Sequence, residues 1–337
     1  MWRAALERRL NAIWYEGARP WPGLALLSRL YGWLRQRRLR RAERSPAQSL
    51  AVPVIVVGNL TAGGSGKTPL VAAVVDHLRQ QGRHPGVISR GYGRRGDALR
   101  RVQPDSSAIE VGDEPLLLQR RCGVPVAVAA DRRLAAQALI DDDSAQVDVL
   151  VADDGLEHLG LPRQCEIVVI DARRGFGNGR LLPAGPLRAP PERAAQAQLR
   201  VSNGGDWPQA HRMELRPSGL FRLQDGTPLP LSWLAGRDVS AAAGIAHPQR
   251  FFDTLTGLGA RLMRCEALPD HVDPAELREA LQDRSTPWLI TEKDAMKLHS
   301  PWPAAEVVVL TVAADLPEAF WQTLRDRLDS AAGSATS

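Results

Sequence analysis

The sequence predicts an α/β fold: a mostly parallel sheet flanked by helices, then a second, smaller α/β domain, with an amphipathic helix at the N-terminus. Three observations predict it. From residue 46 onward, short β-branched apolar runs alternate with segments of helical period, the pattern of a parallel sheet covered on both faces. A glycine-rich segment joins one such strand to the helix that follows. The first 45 residues hold eleven Arg against three Asp and Glu, a net of +8, whereas the whole chain carries +5.

Taken in order, residues 52–57 form a short apolar run and read as a buried strand. Residues 69–80 read as a helix, with Leu70, Val71, Val74, Val75 and Leu78 on one face. Further strands are expected at 86–89, 124–129, 147–152, 166–170 and 199–202, and helices at 114–121 and 132–140. Pro183, Pro186, Pro190 and Pro191 mark a rigid, irregular stretch. Residues 211–215 and 219–223 read as the arms of a small hairpin. A second alternating segment follows, with strands at 239–246, 261–267, 288–291 and 307–311 and helices starting at Pro248, Pro274 and Pro317, the last reaching 328. The expected divisions are an N-terminal segment 1–45, a core domain 46–205, a smaller domain 206–330, and a loose tail 331–337.

Composition is that of a folded protein, since 44% of residues are hydrophobic and 24% charged. Cys122, Cys165 and Cys265 lie far apart without a CxxC spacing, which argues against a disulfide framework or zinc site and fits a reducing cytosol. No secretory signal pattern opens the chain.

The basic N-terminus points towards an anionic membrane surface. Residues 21–34 are apolar except for Arg29, too short a run for a bilayer span of roughly 20 residues. Leu24, Leu27, Leu30, Tyr31 and Leu34 recur at helical spacing. Trp2, Trp14, Trp21 and Trp33 favour a headgroup region, and Arg35, Arg37, Arg38, Arg40 and Arg41 follow, suited to acidic lipid heads. The alternative is a helix packed on the protein's own core.

The strongest chemical signal runs from Gly58 to Thr68, GNLTAGGSGKT. It follows an expected strand and opens an expected helix, the context of a P-loop, so the sheet is P-loop NTPase-like. Backbone N–H groups of Thr61, Ala62, Gly63, Gly64, Ser65 and Gly66 would cradle phosphate at a helix N-terminus. Lys67 would reach the β- and γ-phosphates, and the Thr68 hydroxyl would bind magnesium. Lys67 is one of only three lysines in an arginine-rich chain. The strict pattern GxxxxGK[ST] wants glycine where Thr61 stands. A second signal is the apolar strand ending in Asp153 and Asp154, the Walker B arrangement for holding Mg²⁺. Arg90 after the strand at 86–89, Asp113 at a helix start, the Asp270-His271 pair and Lys293 each have an ordinary structural explanation when taken singly.

Together the segments VGNLTAGGSGKTP, SRGYGR, GDEP, VAVAADR, VADDGLEH, FGNGRLLPAGPLR, PDH and TEKDAMKL resemble the tetraacyldisaccharide 4′-kinase family, the lipid A 4′-kinases of Gram-negative bacteria. Thr61 in the first-glycine position is that family's form. The resemblance implies transfer of the γ-phosphate of ATP, with Mg²⁺, to the 4′-hydroxyl of a tetraacylated glucosamine disaccharide 1-phosphate, giving lipid IVA. It implies a peripheral enzyme at the cytoplasmic face of the inner membrane, with the lipid and the membrane surface as partners, no nucleic acid and no obligate protein partner. It assigns Asp113 as catalytic base, His271 as the group that orients it, and Asp153 and Asp154 as the acidic pair near magnesium. Asp113 and His271 then come from different domains, so the site is expected in the cleft between them.

Two positions depart from the family pattern. Ala189 stands where an acidic residue usually follows PAGPLR, with Glu192 three residues on as a candidate substitute, and Val272 stands where a second histidine usually follows PDH. Two rival readings predict different behaviour. A membrane-recruited P-loop ATPase or GTPase switch would hydrolyse nucleotide without a lipid acceptor. A nucleic-acid binder would lose salt-dependent affinity with its basic arm.

Overall fold

The computed structural model describes residues 2–44 and 49–334. The expected boundary at 45/46 and the tail end 335–337 lie outside the described residues, as does the side chain of Trp2.

Two helices, α1 (Trp2–Tyr15) and α2 (Pro22–Arg44), precede the sheet. The first β/α set runs β1 (Val54–Gly58), α3 (Lys67–Gln80), β2 (Pro85–Ser89), β3 (Arg100–Val102), α4 (Ala108–Val111), α5 (Asp113–Cys122), β4 (Val126–Val128), α6 (Arg132–Ile140), β5 (Val149–Asp153), β6 (Cys165–Asp171) and β7 (Leu199–Asn203). Strands β7, β6, β1, β5, β2 and β4 lie side by side in parallel, and β3 closes the edge antiparallel. β1 is thus central and buried along its whole length, as its unbroken Val-Ile-Val-Val run requires. On one face α3, α5 and the last helix cover Val57, Val151 and Ile167; on the other, α6 and long loops cover Val56, Ile88 and Leu150.

The second set is β8 (His211–Arg222), β9 (Pro228–Leu229), β10 (Asp238–Ala243), α7 (Pro248–Gly257), β11 (Arg261–Ala267), α8 (Pro274–Ala280), β12 (Trp288–Thr291), α9 (Glu292–Ala295), β13 (Val307–Asp315) and α10 (Glu318–Ser334). β11, β10, β12 and β13 are parallel neighbours. The expected hairpin at 211–223 is instead the single strand β8. Its start pairs parallel with β7, and its remainder pairs antiparallel with β13, so one sheet of 13 strands runs through both sets. Pro217-Ser218-Gly219 reads as a turn in sequence but forms a bulge, where the register shifts between Thr311 and Val312. A bulge tolerates a residue that cannot donate to the ladder.

α10 returns to the first set, burying Phe320, Leu324 and Leu328 against Leu78 and Val201. It continues to Ser334, past the expected end at 328, because no proline interrupts its last turns. The N-terminal helices dock on the loop after β6. Ile13 is buried, and the Trp14 indole donates to the Pro183 carbonyl at 2.9 Å. Ser28 and Tyr31 of α2 donate to the carbonyls of Leu181 and Arg188, and Arg35 pairs with Glu157 at 3.5 Å. The opposite face of α2 leaves Leu26, Leu27, Leu30, Trp33 and Leu34 exposed.

Candidate active site

Glycine chemistry shapes the phosphate loop. Gly66 immediately precedes α3 with φ +88°, a left-handed conformation costly for side-chain-bearing residues. A Cβ there would also lie 2.4 Å from the Asn203 amide nitrogen, which donates to the Ser65 carbonyl. Asn59 ties the loop internally, its amide nitrogen donating to the carbonyls of Thr61 and Gly63 at 2.8 and 3.2 Å. Its amide oxygen accepts from Lys67 Nζ at 3.1 Å. The loop is also laced to the segment before Ala189: Ala62 N–H donates to Pro186, and Arg188 N–H to Leu60.

β1 and β5 are neighbours, so Asp153 and Asp154 emerge beside this loop. The two carboxylates diverge. Asp154, in a left-handed conformation with φ 50°, lies 3.7 Å from Lys67 and accepts two bonds from Arg188 at 3.0 and 2.8 Å. Burial pushes its carboxyl up, but Lys67 and Arg188 outweigh this and hold it at about 2. Asp153 is fully buried, and neither carboxylate oxygen has a hydrogen-bond partner. Burial, reinforced by the charge of Glu114, pushes its carboxyl up to about 7. An orphaned, buried carboxylate beside a phosphate loop fits a divalent cation, which would supply the missing partner. Among the described residues no group of three His, Cys, Asp or Glu assembles.

A second constellation brings the two sets together. Gly112, with φ 94° and ψ 150°, turns the chain into α5 and packs directly on Gly91 of the SRGYGR loop. This places Asp113 in the first turn of α5, buried, with Oδ1 accepting from the Glu114 N–H at 3.0 Å. Its Oδ2 lies 3.0 Å from His271 Nδ1. Burial raises the Asp113 carboxyl, but the His271 hydrogen bond and the charges of Lys293 and Lys297 overcome it, leaving the carboxyl below its ordinary value. Lys293 Nζ lies 2.9 Å from Asp270, 3.2 Å from Glu114 and 3.3 Å from His271 Nε2. Lys297 bonds Asp294 at 2.8 Å, and Tyr92 lies against the His271 ring at 4.9 Å.

All expected site residues therefore fall in two neighbouring groups, the phosphate loop with Asp153 and Asp154, and Asp113 with His271. Arg188, Asn59, Lys297 and Asp294 escaped sequence reasoning as site-forming residues. The available signal was the lysine count, because all three lysines of the chain, Lys67, Lys293 and Lys297, stand in these groups. Ala189 is fully buried in the apolar cluster with Leu60 and Leu187, and Glu192 is exposed. Val272 is likewise buried among apolar residues.

A phosphate loop with its lysine and an acidic strand end beside it define the P-loop kinase class. Within it, the chain belongs to the tetraacyldisaccharide-1-P 4′-kinase family, LpxK, whose model matches residues 21–329. It is 45% identical to the tetraacyldisaccharide 4′-kinase of Stenotrophomonas maltophilia over 94% of this chain and 95% of that one. It is 43% identical to that of Pseudomonas aeruginosa, over 96% and 98% respectively. Among solved structures it resembles LpxK from Aquifex aeolicus, described as an "apo" form in complex with ATP, with a TM-score of 0.75 and 27% identity, covering 90% of this chain and 98% of that one.

Proposed function

We propose that this kinase transfers the γ-phosphate of ATP to the 4′-hydroxyl of a tetraacylated glucosamine disaccharide 1-phosphate, forming lipid IVA, while resting on the cytoplasmic face of the inner membrane. The observation that carries the mechanism is the pairing of the buried Asp113 carboxylate with His271, 3.0 Å apart. Loop N–H groups and Lys67 bind the phosphates; Lys67 exchanges Asn59 for a phosphate oxygen. Thr68 and the unpartnered Asp153 would hold Mg²⁺, which would supply neutralisation of negative charge on the phosphates. Asp154 keeps Lys67 and Arg188 aligned over the same point. Asp113 takes the proton of the sugar hydroxyl as attack proceeds, and His271 holds its carboxylate in orientation. The burial of Asp113 limits competing hydrolysis by water.

The exposed apolar stripe of α2 supports the membrane reading. No helix among the described residues is long and apolar enough to cross a bilayer. Leu26, Leu27, Leu30, Trp33 and Leu34 instead face outward along a helix rich in arginine, the form of an in-plane interfacial anchor. The decisive experiment is transfer of labelled γ-phosphate from ATP to the tetraacyl disaccharide 1-phosphate in mixed micelles, with Lys67→Ala as control. ATP hydrolysis without labelled lipid would favour the switch reading instead.

A further inference from the structure

Lys293 occupies an unusual place. It is partly buried, and its ammonium faces three acceptors: Glu114 Oε1, Asp270 Oδ1 and His271 Nε2, at 3.2, 2.9 and 3.3 Å. An ammonium has three hydrogens, so each finds one partner. Burial disfavours its charge, but the Glu114 and Asp270 carboxylates more than compensate, leaving the lysine above its ordinary value and charged.

The consequence falls on His271. The ring stands among Asp113 at 3.0 Å on its Nδ1 side, Asp270 at 3.9 Å and Glu114 beyond Lys293, with Lys297 4.0 Å from Asp113 and Tyr92 against one face. An ammonium only donates, so the contact at Nε2 requires a lone pair there. The only proton left is on Nδ1, where it is donated to Asp113 Oδ2.

We infer that Lys293 is a positioning residue that holds His271 neutral, as the Nδ1–H tautomer, by donating to Nε2. A neutral His271 orients the Asp113 carboxylate without placing a full positive charge against it, so Asp113 remains able to accept the hydroxyl proton. The catalytic consequence rests on the reading of Asp113 as the base; the protonation state of His271 does not.

The test is ¹⁵N spectroscopy of the full-length enzyme labelled at histidine, near neutral pH, with the His271 signals assigned by their loss in His271→Gln. The expected wild-type result is a protonated Nδ1 and a bare, hydrogen-bonded Nε2. In Lys293→Met the donor to Nε2 is lost and the proton is no longer held on Nδ1 alone, so part of the signal moves to a protonated Nε2, and kcat falls by about 10–100-fold with KM for ATP unchanged. Lys293→Gln, which keeps an N–H for Nε2 without the charge, restores part of the loss. A wild-type His271 that carries its proton on Nε2, or is already doubly protonated, overturns the inference, and this needs no variant to fold. A folded Lys293→Met enzyme whose His271 keeps a protonated Nδ1 and a bare Nε2 overturns it as well. Failure of Asp113 as the base would be seen separately, as near-normal turnover in Asp113→Asn.

Discussion

Asp113 Oδ2 and His271 Nδ1 lie 3.0 Å apart although 158 positions separate them in the chain. The pair forms because Asp113 opens α5 in the first β/α set and the segment after β11 in the second set crosses to meet it. Asp113→Asn keeps the shape but cannot accept a proton. The expected outcome is a loss of roughly 10²–10⁴-fold in kcat. Nucleotide affinity, measured by titration with ATP, should stay near wild type. Near-normal turnover would remove Asp113 from the mechanism.

Asp153 makes the stability of the magnesium-free protein pH-dependent. Its carboxyl is raised by burial and by Glu114 from 3.8 to about 7 in the folded state. The folded form therefore holds a proton that the unfolded form releases, and stability is lost as pH rises through about 7. Without magnesium, Asp153→Asn should raise Tm in mildly alkaline buffer and change it least in acid. Magnesium–nucleotide binding to the wild type should release a proton in mildly acidic buffer, seen as a buffer-dependent heat in calorimetry. A Tm difference between the two proteins that does not vary with pH would refute this.

Gly66→Ala tests the loop geometry. The positive φ alone costs roughly 1–3 kcal/mol for a residue with a side chain. The new methyl would also displace the Asn203 amide, 2.4 Å away. Denaturant melts should show the destabilisation, and ATP affinity should fall with it. A variant as stable as wild type would mean that the turn relaxes without strain.

The outer face of α2 separates membrane binding from folding. Leu26, Leu30 and Trp33 are exposed, so replacing all three with Ser should change stability little, within about 0.5 kcal/mol per site. Each large apolar side chain contributes roughly 1.5–3 kcal/mol when buried in an apolar phase. Sedimentation with anionic phospholipid vesicles should therefore weaken by at least about tenfold. Undiminished vesicle binding would place the anchor elsewhere.

The sequence alone determined the features that local chemistry dictates. An unbroken run such as 54–57 can only be a buried strand, and a glycine-rich turn ending in Lys67-Thr68 between strand and helix announces phosphate binding before any coordinates exist. The motif order also pointed to the family. Other features are relations between distant segments, and only the tertiary structure decided them. Pro217 and Gly219 signal a turn locally, yet β8 continues as one strand because β13 pairs along it on both sides of Ser218, the extra residue of a bulge. Asp153 and Asp154 are adjacent and chemically identical in sequence. One is paired with Arg188 and the other is left without a partner, because successive side chains at a strand end point in different directions. Lys293, taken singly in the sequence, has an ordinary structural explanation. Burial among Glu114, Asp270 and His271, drawn from three separate segments, gives it a role that no spacing along the chain encodes.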